Sequence, residues 1–286
     1  MRLHTFNHAR PDLTPYGFTC ELWKGALMRR PDRHNEIELN LMLRGSLTYL
    51  IGGQRVTLQE TGLGAFWAAL PHQIIGARDE PQYYVVTLPL AWFLQCQLPA
   101  KLVDRLLAGE FLTETTRSSE GFDNALFDQW ERDLSVGAEN PPTAVLLELQ
   151  ARMLRFASTL PEMPVRGAWP RIRTGSSNAT KAELMASYIA RHFQEPLSVQ
   201  DVASHVGLHP NYAMTLFKKT FRTTLNDYVT HYRLAQAQRL LATTQDKILE
   251  IAYASGFRTS SRFYDAFQRA CGCSPNHYRR QHGATT

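Results

Sequence analysis

Apolar residues recur with one period in the first third of the chain and with another in the rest. In EIELNLMLR every second residue is apolar, which places the odd-numbered residues on one face of a predicted strand and Glu36, Glu38 and Asn40 on the other. The pair Gly52-Gly53 separates LTYLI from QRVTL and predicts a tight hairpin. Further short strand-like runs, bounded by Gly and Pro, continue to YYVVTL and predict a small sandwich or barrel.

From Pro89 onward the spacing becomes helical, first in AWFLQCQLPAKLVDRLLAGE, then in GFDNALFDQWERDLS and TAVLLELQARMLRFAS. The stretch PEMPVRGAWPRIRTGSSNAT has no periodicity and is rich in Pro, Arg, Gly and Ser, as linkers are. Residues 180–282 then predict seven consecutive helices. We therefore expect an α+β protein with a strand-rich domain at residues 1–160, a linker at 161–179 and an all-α domain at 180–286.

Two segments of the C-terminal domain follow the pattern of a helix-turn-helix unit. In SVQDVASHVGLHPNYAMTLFKKTF, Ala203 is small where two helices cross closely, and Gly207 suits the positive φ of the turn. About 50 residues later, KILEIAYASGFRTSSRFYDAFQRAC repeats the pattern with Ala252 and Gly256. Two recognition helices about 34 Å apart can enter successive major grooves on one face of a DNA duplex.

The charge distribution agrees with a DNA-binding C-terminal domain. The chain carries a net charge of +5, yet from residue 175 onward 13 Lys and Arg stand against 7 Asp and Glu, and the preceding part is close to neutral. A basic excess confined to one domain indicates a polyanionic partner for that domain.

The N-terminal residues, the most apolar stretch and the cysteines bear on location and on redox state. The N-terminal MRLHTFNHAR lacks the apolar core of a signal peptide, and the most apolar stretch, LGAFWAAL, is too short to span a bilayer. We therefore expect a cytoplasmic protein with no membrane partner. The four cysteines are interpreted as reduced structural thiols, since a single CxC pair is a weak zinc signal.

On the first recognition helix one stripe is predicted to face inward and another to face DNA. The inward stripe comprises Tyr212, Ala213, Leu216 and Phe217. The predicted DNA-contacting residues are Asn211, Met214, Thr215, Lys218 and Lys219. Asn211 can pair with adenine and Met214 can pack on a thymine methyl group, while the two lysines suit phosphates. A methionine on a helix is more often a core residue, and this is the alternative interpretation of Met214.

On the second recognition helix Phe263, Ala266 and Phe267 are predicted to face inward. The predicted DNA-contacting residues are Arg258, Ser260, Ser261, Arg262 and Asp265. Arg262 is expected to read guanine, and the two serines to contact phosphates. Asp265 could accept a hydrogen bond from cytosine, but we favour an i, i+3 ion pair that orients Arg262.

Taken with these features, the motifs DVASHVGL, LFKKTF, IAYASGF and FYDAFQRACGCSPNHYRR resemble the DNA-binding domain of the arabinose-regulator (AraC/XylS) family. The resemblance implies a cupin-like β-barrel as effector domain and a helical dimerisation segment within residues 89–158. It places base contacts at Asn211, Met214 and Thr215. It also implies a homodimeric transcription activator of a carbohydrate-utilisation operon, with double-stranded DNA, RNA polymerase and a sugar effector as partners, and neither an enzyme nor a cofactor.

Sugars are held by aromatic rings and by polar side chains in a concave site. The candidate effector-binding residues are Glu36, Glu38, Arg44, Trp67 and His72. Each of them is also compatible with a role as strand surface or barrel packing.

A metal site is the alternative interpretation of the strand region. The spacing Asp32-x-His34-x3-Glu38-x6-Gly45, with His72 after Pro71, resembles the metal box of cupin enzymes and could hold Fe or Mn. Asp in place of the first His, a degenerate second motif and a fused DNA-binding domain argue against it. We therefore expect no metal and no catalysis.

Overall fold

The fold combines a sheet with two groups of helices, as the α+β prediction requires. The computed structural model describes residues 3–11, 14–114, 120–135, 143–161, 178–221 and 223–282. Strands occur before residue 114 and the longest helices after it. Within the described ranges, no helix has the length and apolarity needed to cross a membrane.

Six strands form one antiparallel sheet. They are β1 (Thr19–Lys24), β2 (Glu36–Ile51), β3 (Gln54–Leu58), β4 (Leu63–Trp67), β5 (His72–Pro89) and β6 (Leu112–Thr113). Their order is β1-β5-β2-β4-β6, and β3 pairs with β2. The pairing of β2 with β5 shifts register at three points, and such irregularities bend long strands. Closure of this sheet into a cupin-like barrel remains a prediction.

The turn between β2 and β3 confirms the predicted hairpin. Gly52 and Gly53 have φ values of 59° and 73°, a region in which a side chain would be strained. The strands on either side pair in register from Ile51 with Gln54 to Leu47 with Leu58.

Both faces of β2 are buried, although its residues alternate between apolar and polar. Ile37 and Leu39 lie in the main apolar core, while Glu38 and Asn40, on the opposite face, are only 7% and 0% exposed. The polar face therefore lines the protein interior instead of meeting solvent. Leu43 departs from the alternation and is half-buried, because the register shifts between Met42 and Arg44.

Four helices follow or flank the sheet. They are α1 (Leu90–Gln95), α2 (Ala100–Leu107), α3 (Glu120–Ser135) and α4 (Thr143–Thr159). The first helical segment of the sequence is split into α1 and α2, since Pro99 cannot continue a helix and Gln97 takes a φ of 45°. Helix α3 packs on β1, where the Cys20 thiol donates to the carbonyl oxygen of Phe127 over 3.4 Å.

A buried ion pair joins α3 to α4. The fully buried Arg152 guanidinium donates to Asp123 at 2.6 and 2.8 Å and also pairs with Glu114, just after β6. These helices belong to the segment that we predict to mediate dimerisation, which remains a prediction.

Residues 178–221 and 223–282 contain seven helices, as predicted. They are α5 (Asn178–His192), α6 (Val199–His205), α7 (Pro210–Phe221), α8 (Leu225–Thr243), α9 (Ile248–Ala254), α10 (Ser260–Cys271) and α11 (Pro275–His282). The pairs α6–α7 and α9–α10 are the two helix-turn-helix units, and α8 connects them. Ala203 and Ala252 are fully buried at the two helix crossings, and Gly207 and Gly256 take φ values of 63° and 91°.

The sheet domain contacts α5 and α11, the helices that flank the two helix-turn-helix units. Arg55 on β3 donates to both carboxylate oxygens of Glu183 on α5, at 3.0 and 2.5 Å. Gly53 lies so close to α5 that a Cβ atom there would be 2.2 Å from the backbone nitrogen of Ser187. The Asn35 side chain donates to the Tyr278 hydroxyl on α11. Most of the linker predicted at residues 161–179 lies outside the described residues, and the domain boundaries remain a prediction.

Candidate nucleic-acid interface and ligand cavity

The first recognition helix, α7, exposes every residue that we predict to contact DNA. Asn211, Met214, Thr215, Lys218 and Lys219 are all exposed, whereas Ala213, Leu216 and Phe217 are buried. The helix period alone produces this separation.

Two details of α7 differ from the expected arrangement. Tyr212 was expected to face inward, but it is 47% exposed, because it lies next to Asn211 at the edge of the exposed stripe. The Thr215 hydroxyl donates to the backbone oxygen of Asn211 at 3.0 Å. Thr215 therefore presents its methyl group and an acceptor lone pair outward, and not a free hydroxyl hydrogen.

The capping of α6 fixes the start of the first unit. The Ser198 hydroxyl accepts a hydrogen bond from the backbone nitrogen of Asp201, and the Asp201 carboxylate accepts one from the backbone nitrogen of Ser198. The hydrogen bonds that the Asp201 carboxylate accepts, first from the Ser198 hydroxyl at 2.6 Å and second from the Ser198 backbone nitrogen, hold the pKa of Asp201 below its ordinary value. The reciprocal pattern satisfies two otherwise unpaired donors at the helix start.

The second recognition helix, α10, is arranged in the same way. Phe263, Ala266 and Phe267 are buried, as predicted. The predicted DNA-contacting residues Arg258, Ser261, Arg262 and Asp265 are exposed, and Ser260 is half-buried. The Thr259 hydroxyl caps the helix by accepting from the backbone nitrogen of Arg262 at 3.4 Å.

The favoured ion pair between Arg262 and Asp265 does not form. Among the ion pairs of the described residues, none involves either side chain. The backbone oxygen of Asp265 instead accepts from Nε of Arg269 at 3.2 Å. The Arg262 guanidinium is therefore available to a ligand.

An arginine-lined groove lies between the two units. Its volume is about 490 Å³, and its walls include Arg233, Arg258, Arg262 and Arg269. Arg233 donates to the backbone oxygens of Phe193 and Glu195, at 2.7 and 3.1 Å. Burial, and secondarily the charge of Arg258, lower the pKa of Arg233. Cations that repel one another in a groove favour an anionic occupant such as a phosphate.

Sequence reasoning missed Arg233 and Arg269. Arg269 follows Arg262 by seven residues, so the helical period could have placed both on one face. No local signal identifies Arg233, because its position in the groove depends on how α8 crosses α10.

A second cavity lies within the strand domain. It measures about 30 Å³, and its walls carry aromatic residues together with Asp32, Glu38 and His72. Phe6 and Tyr16, which precede β1, form part of the wall. The Arg10 guanidinium lies 3.6 Å from the centre of the Tyr16 ring and donates to Asp32 at 3.2 Å.

A chain of buried polar contacts surrounds His34. Its Nδ1 lies 2.9 Å from Glu36 and its Nε2 lies 3.0 Å from Glu38. Burial alone would lower the pKa of His34, but the hydrogen bonds to the two carboxylates outweigh it and raise the pKa to about 9. Asn40 donates to Glu38 at 2.9 Å and to the Tyr49 hydroxyl at 3.0 Å.

His72 differs from His34 in its charge state. Burial lowers the pKa of His72, although the Glu38 charge opposes this effect. Its Nδ1 donates to the backbone oxygen of Leu70 at 3.1 Å. The neutral ring therefore keeps an unprotonated Nε2, which lies 3.8 Å from Glu38.

The structure brings together three of the five residues proposed to bind an effector. Glu38 and His72 line the cavity, and Glu36 lies behind His34. Arg44 lies elsewhere, with a side chain 61% exposed and 4.0 Å from Glu80. Trp67 pairs across the strands with Ile37, on the opposite face of the sheet from Glu38, and is buried there.

The residues missed by sequence reasoning are mostly aromatic. Tyr16, Trp23, Tyr49 and Tyr83 also line the cavity. Asn40 could have been found from its period-two relation to Glu38. The tyrosines could not, since no local pattern marks them: Tyr16 precedes β1, and Tyr49 and Tyr83 reach the cavity through the pairing of β2 with β5.

Comparison with known proteins agrees with the two-unit DNA-binding domain. The sequence profile of a helix-turn-helix domain family matches residues 202–281. The C-terminal domain of AraT, a response regulator from Geobacillus stearothermophilus, is 31% identical, with a TM-score of 0.36 over 37% of this chain and 88% of that one. With its paired units and exposed recognition helices, the C-terminal region is a helix-turn-helix DNA-binding domain of the AraC type, and the chain is similar to transcriptional regulators.

Along most of its length, the chain is similar to the melibiose operon regulatory protein of Escherichia coli (strain K12). The two are 29% identical over 259 residues, which cover 86% of this chain and 82% of that protein. The chain is also 31% identical over 100 residues to the raffinose operon transcriptional regulatory protein of Pediococcus pentosaceus, which is 35% of this chain and 36% of that protein. The first similarity extends through the strand domain, whereas the second covers about a third of either chain.

Proposed function

We propose that this protein activates transcription of a carbohydrate-utilisation operon in response to a sugar. The observation that carries the proposal is the pair of recognition helices, α7 and α10, each with its apolar stripe buried and its polar stripe exposed. Similarity to regulators of melibiose and raffinose operons supports a sugar operon as the target. Melibiose or a related α-galactoside is the effector that we would test first.

The DNA contacts divide into base readers and backbone contacts. Asn211, Met214 and Thr215 read bases in one major groove, and Arg262 reads a guanine in the next. The proposed backbone contacts are Lys218, Lys219, Arg258, Ser260 and Ser261. The arginine groove between the two units receives phosphates where the minor groove passes between the two recognition helices.

The effector binds in the strand domain, in the region of Glu38 and His72. A sugar needs a larger space than the cavity of about 30 Å³, since ligand pockets usually span about 300–1,000 Å³. Binding therefore requires the cavity to open. The segment before β1 closes one side of the cavity with Phe6 and Tyr16, and it is the part that we propose to move.

Opening of the cavity can reach the DNA-binding domain through Asn35. This residue lies between His34 and Glu36 of the polar cluster and donates to Tyr278 on α11. The Tyr278 ring packs against Phe267 of α10, with ring centres 5.4 Å apart. An effector that binds one arrangement of these contacts more tightly than another shifts the protein between two DNA-binding states.

Dimerisation through residues 89–158 and contact with RNA polymerase complete the proposal. Phe122, Leu147 and Leu154, on α3 and α4, are large apolar side chains that are 54%, 61% and 42% exposed. Such side chains are typical of a face that pairs with a second copy.

The test is a DNA selection followed by footprinting with the full chain. We expect an asymmetric site protected on one face over two successive major grooves, and stronger transcription in vitro with an α-galactoside present. A site that spans a single major groove would contradict the two-helix contact. The identity of the effector is tested separately, by the thermal shift that each of a panel of sugars causes. If no sugar stabilises the protein, the sugar effector is excluded but the DNA-binding result is unaffected.

A further inference from the structure

The two recognition helices are equivalent in structure, so their exposed residues can be compared position by position. Helices α7 and α10 are each 12 residues long and begin at residues 210 and 260, which places equivalent positions 50 residues apart. Residues 210–220 and 260–270 have the same succession of buried, half-buried and exposed positions. Differences between the exposed residues therefore reflect what each helix contacts, and not how it packs.

The exposed face of α7 is uncharged at its centre and presents methyl groups. Met214 is 41% exposed, and its side chain ends in a methyl group. The Thr215 hydroxyl donates to the backbone oxygen of Asn211 at 3.0 Å, so Thr215 offers DNA its methyl group and not a hydroxyl hydrogen. In the major groove, side-chain methyl groups pack on the C5 methyl of thymine, and asparagine pairs with adenine. Each of these contacts selects an A·T base pair.

The equivalent positions of α10 are more polar and carry two opposite charges. In three exposed pairs the residue on α10 is the more polar one, and these are Tyr212 with Arg262, Met214 with Tyr264 and Thr215 with Asp265. Arginine pairs with N7 and O6 of guanine, whereas aspartate accepts from N4 of cytosine. The face of α10 that corresponds to the methyl groups of α7 therefore suits a G·C base pair.

The Asp265 carboxylate restricts the bases that α10 tolerates. Within the described ranges, no ion pair neutralises it. Phosphates and the acceptor atoms of thymine and guanine repel a carboxylate, while the amino group of a base stabilises it. Arg262 precedes Asp265 by three residues, about 4.5 Å along the helix axis, and base pairs are stacked about 3.4 Å apart. With Arg262 on a guanine, Asp265 therefore reaches the same base pair or the next one.

We propose, on the basis of the proposed DNA contacts of both helices, that the two units read operator halves of opposite composition. Helix α7 reads an A·T-rich half, in which Met214 and Thr215 select thymine methyl groups and Asn211 pairs with adenine. Helix α10 reads a G·C step, in which Arg262 selects a guanine and Asp265 a cytosine. Unlike halves also fix the direction of the chain on the duplex, since reversal sets each helix against the wrong base pairs.

The first experiment tests the methyl contacts of α7. The full chain selects duplexes from a random library, and each thymine of the selected site is then replaced by uracil, which lacks the methyl group. We expect at least one thymine whose replacement weakens binding roughly fourfold, the effect of one buried methyl group. Thr215→Ser removes the side-chain methyl group and should abolish the effect of uracil at one thymine. The matched control Thr215→Val keeps a methyl group and should keep that effect.

The second experiment tests the acid on α10. Asp265→Asn removes a negative charge beside DNA, so binding to random duplexes should tighten. Binding to the selected site should instead weaken at least about threefold, because the acceptor for cytosine is altered. Equal tightening on selected and random DNA would show that the carboxylate only repels DNA, and would overturn its role in selecting cytosine.

The positions of the effects decide between the two halves. The base pair that loses its influence in Arg262→Ala should lie in the half opposite to the thymine that Thr215→Ser no longer senses. The proposal is overturned if both effects lie in one half, if the two halves have the same composition, or if uracil has no effect at any thymine. Each of these outcomes leaves sequence-specific DNA binding intact. If no sequence is enriched from the library, the proposed regulatory function fails as well.

Discussion

Substitution of Arg262 by alanine tests how the second recognition helix reads DNA. The Arg262 side chain is exposed, and the structure shows no ion pair with Asp265 that the substitution would break. The Thr259 cap uses the backbone nitrogen of residue 262 and survives the change. Alanine also favours helix formation, so the free energy of unfolding should change by no more than about 0.5 kcal/mol.

Arg262→Ala should lower the affinity for DNA without lowering stability, and the loss of specificity should be confined to one base pair of the DNA site. A bidentate contact between arginine and guanine contributes about 1–3 kcal/mol of discrimination. Because 1.4 kcal/mol corresponds to a tenfold change in affinity, we expect cognate binding to weaken roughly 5- to 150-fold. Binding to random DNA should fall only slightly, since one guanidinium contributes little to the non-specific term.

The assay compares equilibrium competition by cognate DNA, by random DNA and by cognate DNA substituted at each position in turn. For Arg262→Ala, one base pair should lose its influence on affinity while the others keep theirs. Arg269→Ala is the matched control, since this residue lines the same groove and should contact phosphates only. Equal losses on cognate and random DNA for Arg262→Ala would refute its role as a base reader.

Three other predictions concern the backbone contacts, the helical core and the contact between domains. Lys218→Ala should weaken all DNA sites about equally and reduce the slope of log affinity against log salt by about 0.9, measured by titration at several salt concentrations. Arg152→Ala should lower the free energy of unfolding by about 3–5 kcal/mol in urea denaturation, because it leaves buried carboxylates unpaired. Tyr278→Phe removes the hydroxyl that accepts the hydrogen bond from Asn35. In a double-mutant cycle with Asn35→Ala, the coupling free energy should be about 0.5–1.5 kcal/mol, and a value near zero would exclude the contact.

The DNA-binding face could be predicted because it depends on local geometry. A helix that buries Leu216 and Phe217 must expose Asn211 and Thr215, whatever the rest of the fold does. The inward prediction for Tyr212 is wrong, because its position on the helix lies at the border of the two stripes and the side chain is 47% exposed. The pairing of Arg262 with Asp265 was also wrong, since i, i+3 spacing permits such a pair without requiring it.

The residues that line the ligand cavity were harder to predict from the sequence than the DNA-contacting residues. Continued alternation from Glu38 would turn Arg44 into the cavity, but the register shifts on both sides of Arg44 bring it to the surface. Trp67 depends on its pairing with Ile37, which the sequence of one strand cannot reveal. Tyr83 reaches the cavity only because β5 pairs with β1 and β2 along most of its length.

The positions of the contacts between domains explain why events in the cavity should affect DNA binding. The β2–β3 hairpin contacts α5, which packs on the first unit, through Arg55 and Glu183, and Asn35 contacts α11, which packs on α10 of the second unit. One sheet domain therefore contacts helices packed on both units, whose recognition helices must be about 34 Å apart to enter successive major grooves. A ligand that moves Asn35 relative to the hairpin changes this spacing.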